Sequence, residues 1–176
     1  MAKPTNFSVE ALKRIGRYLE GRKRVIYIYR WQQDIDGMDV YADADHAGCL
    51  RIRKSTSGGC IFLGAHLFKS RSSTQSTITL SSGEAELHGV VRAAPNGLGF
   101  LSLLADLGIR LRMRVWTDST ASKGIWSRQG LGKVRHLDVQ GLWIQQRVRA
   151  GDFDLYNNSG ERNPGDLYDL PDRLTD

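Results

Sequence analysis

The chain has 176 residues, 40% apolar and 25% charged, which suits one ordinary domain with a real core or a domain plus an appendage. Its net charge of +6 turns attention to polyanionic partners, and no apolar run reaches the roughly 18 residues that a membrane span needs, so no membrane partner is expected. Two cysteines, Cys49 and Cys60, without a CxxC pair, argue against a disulfide framework and a zinc site, and fit a reducing compartment.

Residues 8–20, "SVEALKRIGRYLE", predict a helix: Ser8 can cap it, Leu12, Ile15 and Leu19 share one face, and Gly21 stops it. "VIYIY" at 25–29 predicts a strand, "QQDIDG" a turn, and "MDVYADAD" a second strand. In that strand Asp43 and Asp45 stand two apart and are expected on one face, an unusual use of strand positions. "GGCIFLG" and "HLFKSRSS" predict two more strands joined by a tight turn, completing an antiparallel meander. From Ser81 the pattern turns helical, with Glu84 in the first turn and Leu87, Val90 and Val91 on one face; Pro95 is expected to break this helix in two. "LRMRVWTD" predicts a strand, "STASKGIW" a short helix, "HLDVQGLWIQQRVRAG" a longer one, and "DFDLYN" a last strand. Pro164 stands at the first position of a final short helix. The sum is a mixed five-stranded α/β sheet with helices packed on it, preceded by an N-terminal helix–strand appendage.

Four acids fall at comparable points of that plan. Asp43 lies on the first strand of the core, Glu86 in the first turns of the helix after the meander, Asp118 at a strand's C-terminal end, and Asp166 at the start of the last helix. Two carboxylates about 4 Å apart repel by roughly 4 kcal/mol at an effective dielectric near 20. Four converging carboxylates would therefore require cations, and two divalent ions roughly 3.5–4 Å apart suit phosphodiester chemistry. Taken singly, each acid has an ordinary reading: a surface helix residue for Glu86 or Glu84, a helix cap for Asp118, a dipole partner for Asp166. Cations gather at Arg51, Arg53 and Lys54, at Arg110, Arg112 and Arg114, and at Arg128, Lys133 and Arg135, where phosphate contacts are expected.

"YADADHAG", "RKSTSGG", "LSSGEAEL", "VWTDSTAS", "KVRHLDVQ" and "GERNPGDL" occur in this order. Together they resemble the ribonuclease H domain of copia-type retrotransposon Pol polyproteins. The resemblance implies a ribonuclease H-like fold over 35–176. It also implies that 1–34 is a remnant of the segment connecting to the reverse transcriptase domain. It assigns Asp43, Glu86, Asp118 and Asp166 as a D-E-D-D set holding two Mg²⁺ ions, for which Mn²⁺ can substitute; Asp45 and Glu84 become rim residues. The implied activity is hydrolysis of the RNA strand of RNA–DNA hybrids during reverse transcription, leaving a 5′-phosphate and a 3′-hydroxyl. Backbone contacts are expected from Arg51, Arg53, Lys54, Lys133 and Arg135, and 2′-hydroxyl sensing from Ser55, Thr56, Gln75 and Ser82. The implied partners are the hybrid and the reverse transcriptase domain of the parent polyprotein. The implied setting is intracellular, cytoplasmic or nuclear, within a virus-like particle for an intact element. His46 stands where the family often has tryptophan, and the tail "YDLPDRLTD" departs from its usual continuation. The alternative is a catalytically idle remnant that only binds nucleic acid. An integrase or resolvase nuclease is a third reading, but those usually carry Asp, Asp and Glu in that order.

Overall fold

A computed structural model describes residues 5–24, 26–33, 35–49, 51–119, 124, 138–158 and 163–164, the side chains of 138–140 excepted. The chain forms two compact units, Met1–Trp31 and Gln32–Asp176. The first contains α1 (Asn6–Gly21), started by Thr5, whose hydroxyl accepts the Ser8 N–H; Ser8, the expected cap, lies inside the first turn. The helix buries none of its residues, and Phe7, Leu12, Ile15 and Leu19 are exposed. Over 26–29, the described part of the strand expected at 25–29, no strand is formed. Residues 26–29 have no ladder partner among the described residues, and β-propensity without a neighbouring strand makes no sheet.

The second unit is a five-stranded sheet of order β3-β2-β1-β4-β5. Its strands are β1 (Gly37–Ala44), β2 (Thr56–Leu63), β3 (His66–Thr74), β4 (Arg112–Thr117) and β5 (Asp154–Asn157). β1, β2 and β3 pair antiparallel; β4 lies parallel to β1, and β5 parallel to β4. Two helices complete the described part, α2 (Ser82–Asp106) and α3 (Asp138–Arg149). No described helix is long and apolar enough to cross a membrane.

α2 is one continuous helix, so the expected break at Pro95 does not occur. Packing outweighs the lost hydrogen bond: Leu87, Val90 and Ala94 are fully buried against Met38, Val40 and Val115 of the sheet. Each such aliphatic burial contributes about 1.5–3 kcal/mol, and an interior proline costs about 3. Close approach is built in by glycine. A Cβ at Gly97 would meet the Met113 sulfur at 2.4 Å and a Val40 methyl at 2.8 Å.

Since Val40 and Ala42 face α2, Tyr41 faces the other way. There it stacks on Trp116 at 6.0 Å and meets Phe62 edge-on at 5.6 Å, while Trp116 stacks on Tyr156 at 4.7 Å. Arg114 on this face is committed: it donates to Asp39 at 2.7 Å and to Asp36 at 2.9 Å, and the Trp116 indole also donates to Asp39. The phosphate contact expected of Arg114 is thus replaced by ion pairs within the fold.

Candidate active site

The β1–β4 register places two of the expected acids. Tyr41 pairs with Trp116 in parallel, so the residues two further on, Asp43 and Asp118, leave neighbouring strands side by side. Opposite Asp43 on β2 is Gly58, which puts no side chain beside the carboxylate. Glu86 arrives from α2. That helix begins with a capping box: the Ser81 hydroxyl accepts the Glu84 N–H, and the Glu84 carboxylate accepts the Leu80 N–H. One turn after Glu86, Gly89 lies against the β1 backbone, where an added Cβ would stand 3.1 Å from the Asp43 carbonyl oxygen. This contact sets how closely Glu86 approaches Asp43.

The three carboxylates converge, with one oxygen of each within 4.8 Å of the others. Glu86 is 8% exposed, and its Oε1 accepts the Ala44 N–H at 3.3 Å. Its Oε2 is buried without a hydrogen-bond partner among the described residues. Burial, then the charges of Asp118 and Asp43, push the Glu86 carboxyl up to about 8. Only oxygen donors meet here, a set that suits a hard divalent cation better than zinc or copper.

Asp166 lies outside the described residues, as do Lys133 and Arg135. The chain just before Asp166 is anchored beside the site: the Asn163 amide donates to the Ala42 carbonyl at 3.1 Å, and the Cys60 thiol to the Pro164 carbonyl at 3.2 Å.

Asp45 is not among the three converging carboxylates. β1 stops at Ala44, and the Asp45 carboxylate turns to accept the Thr56 N–H, closing the loop that carries the first cation cluster. Arg51 and Arg53 are exposed on that loop, Arg53 in a left-handed conformation at φ 52°, while the Lys54 ammonium donates to the Ser76 carbonyl. Ser82 is exposed at the start of α2, and Thr56 is half-buried. Ser55 and Gln75 correct the expectation of 2′-hydroxyl contacts, being 0% and 2% exposed. The Ser55 hydroxyl pairs with that of Thr79 and accepts the Ala47 N–H; the Gln75 amide donates to Ser57 and to the Ala85 carbonyl. Both hold the loops behind the acids rather than offering polar groups outward. Sequence reasoning also passed over Lys69, Arg71 and Arg92, whose only signals were the alternation in "KSR" and a cation six residues beyond Glu86.

No family profile matches the chain. It is 30% identical over 174 residues, 97% of its length, to the retrovirus-related Pol polyprotein from transposon RE1 of Arabidopsis thaliana. It is 27% identical over 161 residues to that from transposon TNT 1-94 of Nicotiana tabacum. The chain thus has a ribonuclease H-like fold and is similar in sequence to one segment of retrovirus-related Pol polyproteins. It spans 12% of the length of each of these relatives. Among solved structures, it is similar to LC11-RNase H1, isolated from compost by a metagenomic approach, with a TM-score of 0.57 and 18% identity. That match covers 73% of this chain and 88% of the other. A second structure of LC11-RNase H1, in complex with RNA/DNA hybrid, matches with a TM-score of 0.50 and 13% identity over 72% of this chain and 88% of the other.

Proposed function

We propose that this ribonuclease H-like domain is a metal-dependent endonuclease that hydrolyses the RNA strand of RNA–DNA hybrids during retrotransposon reverse transcription. The observation that carries the reading is the convergence of Asp43, Glu86 and Asp118 from three separate elements, with a buried Glu86 oxygen that no described residue satisfies. A native fold seldom leaves such an atom unpaired, and a divalent cation would satisfy it. Asp43, Glu86 and Asp118 would hold Mg²⁺, or Mn²⁺ in its place, with Asp166 as the fourth ligand. Asp166 is two residues beyond Pro164, a reach of about 7 Å of chain from an anchor on β2. Divalent ions bound there would stabilise the charge that develops on the phosphodiester oxygens.

The protein's own part is positional. Glu86 closes the site from beneath, and half-buried Asp43 and Asp118 hold its mouth. Arg51, Arg53 and Lys54, with Lys133 and Arg135, take up backbone phosphates, and Thr56 and Ser82 stand nearest the exposed surface for 2′-hydroxyl contact. The exposed apolar face of α1 and the run 26–31 fit a connection that packs on the reverse transcriptase domain of a parent polyprotein.

The test offers an RNA–DNA hybrid, double-stranded DNA and single-stranded RNA with Mg²⁺ or Mn²⁺. Cleavage of the RNA strand of the hybrid alone, lost in Asp118→Asn, is expected. Tight hybrid binding without turnover under either metal would establish the idle remnant instead.

A further inference from the structure

A groove runs between the edge strand β3 and α2, floored by Gly58, Gly59 and Gly89. Lys69 and Arg71 enter it from β3 and Arg92 from α2. Some cations of the described structure meet carboxylates, Lys13 with Glu10, Arg114 with Asp36 and Asp39, and Arg147 with Asp152. The groove lining holds no carboxylate, and these three cations form no ion pair among the described residues. Like charges in one concavity repel, a cost that a bound anion would lift.

Two of the three are held in place without being neutralised. The Arg92 guanidinium donates to the Ser73 hydroxyl at 2.9 Å. The Lys69 ammonium donates to the Asn96 amide oxygen at 3.3 Å and lies over the Phe100 ring at 5.3 Å. Side chains already ordered in this way lose less entropy on meeting a ligand.

The groove is close to the acids yet separate from them. Arg71 pairs with Gly59, and Gly59 with Ala42, the neighbour of Asp43, so the backbone of Arg71 stands two strand spacings, about 10 Å, from that position. Along α2, Arg92 is six residues beyond Glu86, a rise of about 9 Å. A strand that starts at the acids would therefore reach the groove within a few nucleotides.

We infer that the groove between β3 and α2 is an anion site for the phosphodiester backbone of nucleic acid, gripping a strand within a few nucleotides of the position held at Asp43, Glu86 and Asp118. This rests on the reading of the domain as a hybrid nuclease. Cations on an edge strand also guard against sheet-to-sheet association, and that role alone predicts no effect on binding.

The test measures affinity for a fluorescent RNA–DNA hybrid over a salt series in the full chain. Asp118→Asn serves as the common background, so that hydrolysis does not interfere, and Lys69→Ala, Arg71→Ala and Arg71→Lys are compared in it. Lys69→Ala and Arg71→Ala are expected to weaken binding about fivefold near 0.1 M salt, and each to flatten the plot of log affinity against log salt by about 1. Arg71→Lys keeps the charge and should keep the slope. Wild-type cleavage of the hybrid with unchanged affinities and slopes in the alanine variants would overturn the groove and leave the nuclease reading standing. A wild-type chain that neither binds nor cleaves the hybrid would overturn both.

Discussion

Replacing Glu86 by glutamine separates the electrostatic cost of the site from its packing. The glutamine side chain is nearly isosteric, and its amide oxygen can still accept the Ala44 N–H. The Glu86 carboxyl has an ordinary value of 4.5 and is raised to about 8 in the fold, by burial and then by Asp118 and Asp43. A raised acid contributes no penalty below about pH 4.5, where it is protonated both folded and unfolded. Stability is lost as pH rises from there through about 8, because the unfolded chain releases the proton first. Raising the carboxyl from 4.5 to about 8 corresponds to roughly 5 kcal/mol. Relaxation around a buried charge lowers the cost realised in a fold, so a difference of about 2–3 kcal/mol is expected. At about 2–4 °C per kcal/mol, the variant should melt roughly 5–10 °C above wild type near pH 8 without metal, and level with it near pH 5. The assay is thermal unfolding with chelator across that range. Parallel wild-type and variant curves from about pH 5 to 9 would refute the reasoning.

Mg²⁺ added near pH 8 should raise the wild-type melting temperature with a dependence on ion concentration, and Glu86→Gln should show a smaller rise in the same titration. Asp118→Asn should abolish metal-dependent hybrid cleavage and, by removing one of three facing charges, raise the metal-free melting temperature; a lower melting temperature would contradict the repulsion. Gly89→Ala should cost about 1–3 kcal/mol and lower cleavage, because the new methyl presses on the Asp43 carbonyl; chemical denaturation and initial rates measure both. Asp45→Ala should cost about 1–2 kcal/mol in denaturation by leaving the Thr56 N–H without its acceptor.

The sheet was legible where periodicity and partners agreed. β1, β2, β3 and β4 form where they were read, β1 and β4 with alternating burial, and the parallel step from β1 to β4 then brings Asp43 beside Asp118 without further help. Positions decided by tertiary context were not legible. Asp45 looked equivalent to Asp43 because nothing local shows that β1 ends at Ala44 or that Thr56 needs an acceptor. Pro95 looked like a break because its cost is local, whereas the aliphatic contacts that outweigh it come from β1 and β4. "VIYIY" has strand chemistry but no partner strand. Ser55 and Gln75 read as surface polar residues, and only the folded loops show them as internal struts. Lys69, Arg71 and Arg92 lie on two elements, and their convergence needs the sheet register and the helix contact together.

The contact at Gly89 has a consequence for which ion the domain would prefer. A Cβ at Gly89 would stand 3.1 Å from the Asp43 carbonyl oxygen, so helix and strand pack there closely enough to leave little room for a side chain. Mg²⁺ demands short, near-octahedral oxygen contacts of about 2.0–2.1 Å, while larger cations accept longer and looser ones. If the three acids hold an ion, the spacing available to it would depend in part on a methyl group omitted one helical turn from Glu86. Lengthening that spacer would retune the cage toward larger ions while leaving every coordinating residue in place.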